Sequence, residues 1–304
     1  MINFSFDKKN NFKNNFYTVF LLCILLNTTS CEDPVPKDYE KNTIVEALLI
    51  VNEPIRSIRI TQTLPLYEPY SYDDALVKNA KVFIAEDGQN EFELKFKYSE
   101  NIAKLGYFYD ANYLVKKNTK YNLRIILPDN QIVTGTTTTP DAFEWDERPN
   151  YYTQYPKDTI NLPPNGEIIS WTKPTNATFY ILTVTCLDTL NYGKYLATPT
   201  KELNSKIYKF WLDGSSEERM QRFYRELTVS TLMPNNRTPV VWDVFKWYGL
   251  HTVKVFHPDE NYRMWYFQIL MSGNFNKRFS SVKGCLGFFG STYMIQDTFF
   301  LLKP

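Results

Sequence analysis

The segment 91–98 reads E-F-E-L-K-F-K-Y, and this strict alternation constrains the fold more than any other feature of the chain. Successive side chains of a strand point to opposite faces, so Phe92, Leu94, Phe96 and Tyr98 line one face and the charged residues the other. The same period of two recurs at 43–51, 57–63, 80–86, 107–109, 121–127 and 132–136. Turn signals separate the runs: N-E-P at 52–54, Asp87-Gly88, and Pro128-Asp129-Asn130. Seven short strands within about 100 residues predict a β-sandwich over residues 43–140. Tyr121, which follows K-N-T-K, is placed to close a tyrosine-corner-like loop. With 11 Gly against 22 Tyr and 22 Phe in 304 residues, the chain reads as strand-rich rather than as a glycine-rich phosphate-binding enzyme.

A second module is expected over 141–304, after a Tyr/Pro-rich stretch at 149–164. Within it, E-I-I-S-W-T-K-P-T-N-A-T-F-Y-I-L-T-V-T (167–185) is similar to the B–C strand pair of a fibronectin type III domain, with Trp171 as a core aromatic and Tyr180 opening the next strand. Two helical insertions are predicted. Ser215 and Glu218 form a capping box, and Met220, Phe223, Tyr224 and Leu227 follow at helical spacing, giving a helix near 216–227. The second lies near 258–271, with Pro258 at its start and Tyr262, Trp265, Tyr266 and Ile269 inward. The expected fold class is therefore mostly β: an Ig/transthyretin-like sandwich, then a fibronectin type III-like one carrying the helices.

The first thirty residues read as a targeting segment. Lys8, Lys9 and Lys13 precede the apolar run Val19–Leu26, whose eight residues would span only about 12 Å as a helix. That is too short for a hydrocarbon core of about 30 Å and suits a signal-peptide h-region. Thr28-Thr29-Ser30 then leads into Cys31, which resembles a bacterial lipobox except that Thr28 stands where Leu is usual. An ordinary secretory signal is the competing reading. Lipidation at Cys31 would attach palmitate-type chains and a stable membrane anchor. Glu32 and Asp33 resemble an acidic surface-export signal, and residues 31–42, with Pro34 and Pro36, read as a tether.

The whole ordering resembles a Bacteroidota lipoprotein family, that of the domain of unknown function 4249. The resemblance rests on C-E-D-P at 31–34, the I-V-E-A-L-L-I strand at 44–50, and K-N-A-K-V-F-I at 78–84. It continues in P-D-E-N-Y-R-M-W-Y-F-Q-I-L at 258–270 and V-K-G-C-L-G-F-F-G-S at 282–291, with Cys285 where a small residue is usual. It implies a lipid-anchored protein of the outer membrane facing the cell surface, without catalytic activity, and associated with a TonB-dependent transporter. A structural or adhesive surface protein is the alternative. No cofactor is implied.

Chemistry-bearing motifs are sparse. His251 and His257 in H-T-V-K-V-F-H are the two His of the chain, and on one strand they would lie about 20 Å apart, too far for one metal. No zinc-protease, nucleophile-elbow, P-loop or EF-hand pattern occurs. A net charge of +1 without a long basic run argues against nucleic acid. Cys186 and Cys285 could pair or remain buried thiols. The neighbouring acids Asp73-Asp74, Glu144/Asp146/Glu147 and Glu217-Glu218 read as solvated, as does the ion-paired row Arg219, Arg222, Arg225. Better binding candidates are Tyr67, Tyr70 and Tyr72 in a Pro-containing loop, and Tyr151, Tyr152 and Tyr155. Thr159 and Thr189, in Asp-Thr-Ile and Asp-Thr-Leu, match a short Bacteroidota O-glycosylation pattern.

Overall fold

The predicted strands all form, and sixteen strands are present among the described residues of the computed structural model. It describes residues 39–65, 69–99, 106–157, 167–175, 177–207, 228–240, 244–272 and 277–304. The N-terminal half contributes β1 (Thr43–Ile50), β2 (Pro54–Gln62), β3 (Lys81–Glu86), β4 (Phe92–Tyr98), β5 (Gly106–Leu114), β6 (Lys120–Ile126) and β7 (Ile132–Thr138). Next come β8 (Trp145–Glu147), β9 (Tyr152–Gln154), β10 (Ile168–Trp171), β11 (Tyr180–Cys186), β12 (Thr228–Met233), β13 (Arg237–Pro239) and β14 (Gly249–Pro258). The chain ends with β15 (Val282–Lys283) and the long β16 (Leu286–Leu302). A one-turn helix, α1 (Tyr72–Ala75), and α2 (Glu260–Ser272) complete the regular structure used below. The helix expected near 216–227 lies outside the described residues.

Thirteen strands join one sheet in the order β12-β11-β14-β16-β1-β2-β5-β4-β3-β6-β7-β15, with β9 on β16; β13-β10-β8 form a second sheet. Two hydrophobic cores result. The first gathers Val45, Ala47 and Leu49 of β1 with Ile58, Ile84, Leu94, Phe108, Leu123 and Val133, the inward positions of the alternating runs. The second packs Trp171, Tyr180, Leu182, Val255, Phe299 and Leu301 between the two sheets. Trp171 and Tyr180 meet edge-on with centroids 5.2 Å apart. Burial at these positions supplies the main stabilisation, about 25 cal/mol per Å² of apolar surface removed from water.

One feature differs from the sequence expectation. The first core is not built from residues 43–140 alone: Val282 and Phe289 belong to it. The reason is β16, which runs parallel to β1 from Ile44↔Leu286 to Ile50↔Thr292, then pairs β14 in the second core. Residues Lys41–Pro304 accordingly form one compact unit. Gly287 permits this junction. Its φ is +122°, and a Cβ there would collide with the Val45 carbonyl. The tyrosine corner is present: Lys116 N donates to the Tyr121 hydroxyl at 2.9 Å, and Tyr121 is fully buried.

Candidate functional site

Strand register gathers four distant parts of the chain at one end of the first core. Thr43 opens β1 opposite Gln62, the last residue of β2. Tyr98 closes β4 opposite Gly106. Lys81 faces Ile126, Ile126 faces Ile132, and Leu286 lies beside Ile44. This proximal end therefore holds the incoming chain, the loop 63–80, the turn 127–131 and the turn 284–285. The turn is the predicted one: Asn130 adopts φ +67° and donates its N–H to the Leu127 carbonyl. A cleft of about 440 Å³ opens between these segments, lined by Lys41, Gln62, Asp129, Gln131, Lys277 and Cys285 among others. Its volume suits a small polar group.

The tyrosine loop is pinned beside this cleft. Ser71 caps α1 by accepting the Asp74 N–H, and Gln62 Nε2 donates to the Asp74 carbonyl at 3.0 Å. Val77 N then donates to the Ile60 carbonyl, and Lys78 pairs with Asp73 at 2.8 Å. Asp73 and Asp74, both exposed, lie in the first turn of α1, because the Ser71 cap turns the chain. Tyr70 is 71% exposed, whereas Tyr72 is half-buried. Burial raises the Tyr72 phenol above its usual range, opposed by the Arg59 charge. Tyr67 lies outside the described residues.

Other predicted positions are scattered. Cys31, Glu32, Asp33, Thr159, Glu217-Glu218 and Arg219, Arg222 and Arg225 lie outside the described residues. Thr189 is half-buried in the turn after β11. Its neighbour Asp188 accepts from Leu190 N, Asn191 N and the Tyr195 hydroxyl, and these bonds, led by Leu190 N–H, hold its carboxyl down at about 2. Tyr151 and Tyr152 are exposed, while Tyr155 is buried in the second core. Cys186 and Cys285 are both free thiols, pushed up to about 11 and about 12 by burial. They therefore resist becoming nucleophilic thiolates at neutral pH.

Both His sit on β14, and both are buried. His251 stacks on Phe299, and desolvation lowers its imidazole to about 4. His257 contacts Phe143 and Tyr180, and burial lowers it too. Among the described residues, no three His, Cys, Asp or Glu side chains are placed to share a metal. A second cleft of about 390 Å³ is lined by Asp141, His257, Asp259, Glu260 and Arg263. The Arg263 guanidinium of this cleft is already paired with Glu260.

Asp259 is the residue that sequence reasoning missed. Its Oδ1 accepts from Tyr262 N at 2.8 Å and Ser291 N at 3.0 Å, and its Oδ2 from the Thr137 hydroxyl. It thus caps α2 and ties β7 to β16 at once. Nearby, Asn261 Nδ2 donates to the carbonyls of Thr136 and Phe289. Its signal was legible in part, since Pro-Asp before a helical pattern is a cap signature. Desolvation raises the Asp259 carboxyl, against the pull of its hydrogen bonds.

The motif segments 258–270 and 282–291 thus meet at one structural junction, through Asp259 with Ser291 and Asn261 with Phe289. Among the described residues, no helix is long and apolar enough to cross a membrane. No curated protein matches the chain. A family model, described as a domain of unknown function (DUF4249), matches residues 28–292. The match takes in Thr28 to Thr292, including β1, the Asp259 cap and the Gly287–Ser291 segment of β16, and the chain belongs to the DUF4249 family.

Proposed function

We propose that this chain is a Bacteroidota cell-envelope lipoprotein without catalytic activity, anchored in the outer membrane through Cys31 and facing the cell surface. In this reading it serves a TonB-dependent transporter as a surface binding or accessory partner. The observation that supports a binding role best is the proximal end, where the exposed Tyr70 stands directly before the Ser71-capped α1, beside an open polar cleft. Tyrosine gives large contact area at low entropic cost, and a pinned loop loses little more on binding. The basic n-region, the short apolar run and the small residues before Cys31 support the anchor. Glu32 and Asp33 serve as the surface-export signal, and Thr159 and Thr189 as O-glycosylation acceptors.

The finer fold assignment belongs to the same proposal. The first core is read as an Ig/transthyretin-like sandwich and the second as a fibronectin type III-like one. The Trp171–Tyr180 contact across the second core supports the latter. The test of function is metabolic labelling with a palmitate analogue, followed by crosslinking and pulldown from membranes. Label on the native chain but not on Cys31→Ser, with a barrel transporter among the captured proteins, is the expected result. An unlabelled native chain overturns the lipoprotein reading. Capture of a matrix or host partner alone favours the adhesive alternative.

A further inference from the structure

The distribution of unpaired cations in the first core is uneven. At the distal end Lys116 pairs with Glu86, Lys117 with Asp141, Lys120 with Asp87 and Arg124 with Glu91; Arg56 alone there has no such partner among the described residues. At the proximal end the pattern reverses. Lys41, Lys81, Lys97, Lys277 and Lys283 are all exposed and form no ion pair among the described residues. Lys78 is matched by Asp73, and Glu40, Asp74 and Asp129 are further described carboxylates there.

Exposed aromatic and aliphatic groups share this end. Tyr70 is 71% exposed, Tyr98 55%, Ile132 57% and Phe279 39%. Lysines interleaved with tyrosines form the composition of a membrane–water interface, where the rings sit at headgroup level and the ammonium groups meet anionic lipid. A binding site for an acidic protein would draw on the same charges. Chain geometry decides between them. The fold is entered at Lys41, in the middle of this surface, and ten residues after Cys31 reach at most about 35 Å when fully extended.

We propose that the proximal end seats on a membrane surface carrying anionic headgroups, with Lys41 and Lys277 lining the 440 Å³ cleft, Lys283 next to its Gly284–Cys285 wall, and Tyr70 and Tyr98 at the interface. The orientation rests on the Cys31 anchor of the proposed function, but the surface itself binds lipid with or without that anchor. Tyr70 then meets a partner within the membrane plane, and the distal end faces outward.

The test uses the full chain carrying Cys31→Ser, so that no acyl chain contributes, with phosphatidylcholine vesicles made with and without phosphatidylglycerol. The compared proteins share the same first thirty residues, so differences between them report the folded part. Partitioning should need phosphatidylglycerol and weaken with salt. Lys41→Gln with Lys277→Gln should weaken it about fivefold per cation removed, about 25-fold together. Arg56→Gln, at the distal end, should leave it unchanged. Thermal melts confirm that each variant is folded. Binding independent of phosphatidylglycerol, or an equal loss with Arg56→Gln, overturns the proposal. Palmitate labelling at Cys31 is measured separately, so failure of the anchor and failure of this surface are distinguishable.

Discussion

Removing the Asp259 carboxylate should separate its roles as helix cap and as junction. In Asp259→Ala the N–H groups of Tyr262 and Ser291 and the Thr137 hydroxyl lose their acceptor. Each buried donor left unpaired costs about 1–3 kcal/mol, and loss of a cap costs about 1 kcal/mol of that same total. Thr137 can turn to Ser291 Oγ, which leaves two buried N–H groups unpaired, so a destabilisation of about 2–6 kcal/mol follows, or roughly 4–24 °C in Tm for a unit of this size. Asp259→Asn keeps the Oδ1 acceptor, and its amide can donate to Thr137 Oγ1, which can still donate to Ser291 Oγ. It should therefore cost about 1 kcal/mol or less at neutral pH. The pH dependence distinguishes the two variants further. Because the folded carboxyl is raised, its contribution is fully present below the unfolded pKa and is lost as pH rises through the folded value. Asp259→Asn should flatten that limb of the stability profile. Urea titrations followed by tryptophan fluorescence suit the purpose, since Trp265 lies in the helix that Asp259 caps and stacks on Phe288 of β16. Equal destabilisation by Asn and Ala, or a loss below about 1 kcal/mol for Ala, would refute the reasoning.

Other substitutions probe the remaining parts. Gly287→Ala forces a side chain against the Val45 carbonyl at positive φ, and should cost more than about 3 kcal/mol by chemical denaturation. Tyr121→Phe leaves Lys116 N–H without its hydroxyl partner and should cost about 1–3 kcal/mol in the same assay. The buried His251 is depressed to about 4 from 6.5, so the stability it confers is present above pH 6.5 and falls as pH drops toward 4, by roughly 3 kcal/mol in all. His251→Phe should remove that acid-side loss in melts recorded across this range.

Much of the first core was legible because alternation reports which face a residue takes. Phe92, Leu94 and Phe96 pack toward the core and Lys95 and Lys97 stay exposed, as the period implies. Tyr121 and Asn130 were readable because a corner and a turn are local chemistry. The partner of a strand is not local. Nothing in I-V-E-A-L-L-I specifies that Ile44 pairs with Leu286 across more than 240 intervening residues, so β16 was expected in one core and serves two. The proximal cleft was hidden for the same reason, since Lys41, Gln62, Asp129 and Lys277 are assembled by register alone. α1 escaped detection because one turn offers no periodicity; its only signal is Ser71.

The placement of β16 also sets the order in which the chain can mature. β1 needs Leu286–Thr292 along one edge, so the first core stays incomplete until those residues, more than 240 positions later, have been made. Until then Val45, Ala47 and Leu49 belong to a sheet with an open edge, and contacts of such long sequence separation form slowly. An unpaired strand is exposed for the length of that delay, so a stalled or truncated product lacking β16 should aggregate or recruit a chaperone.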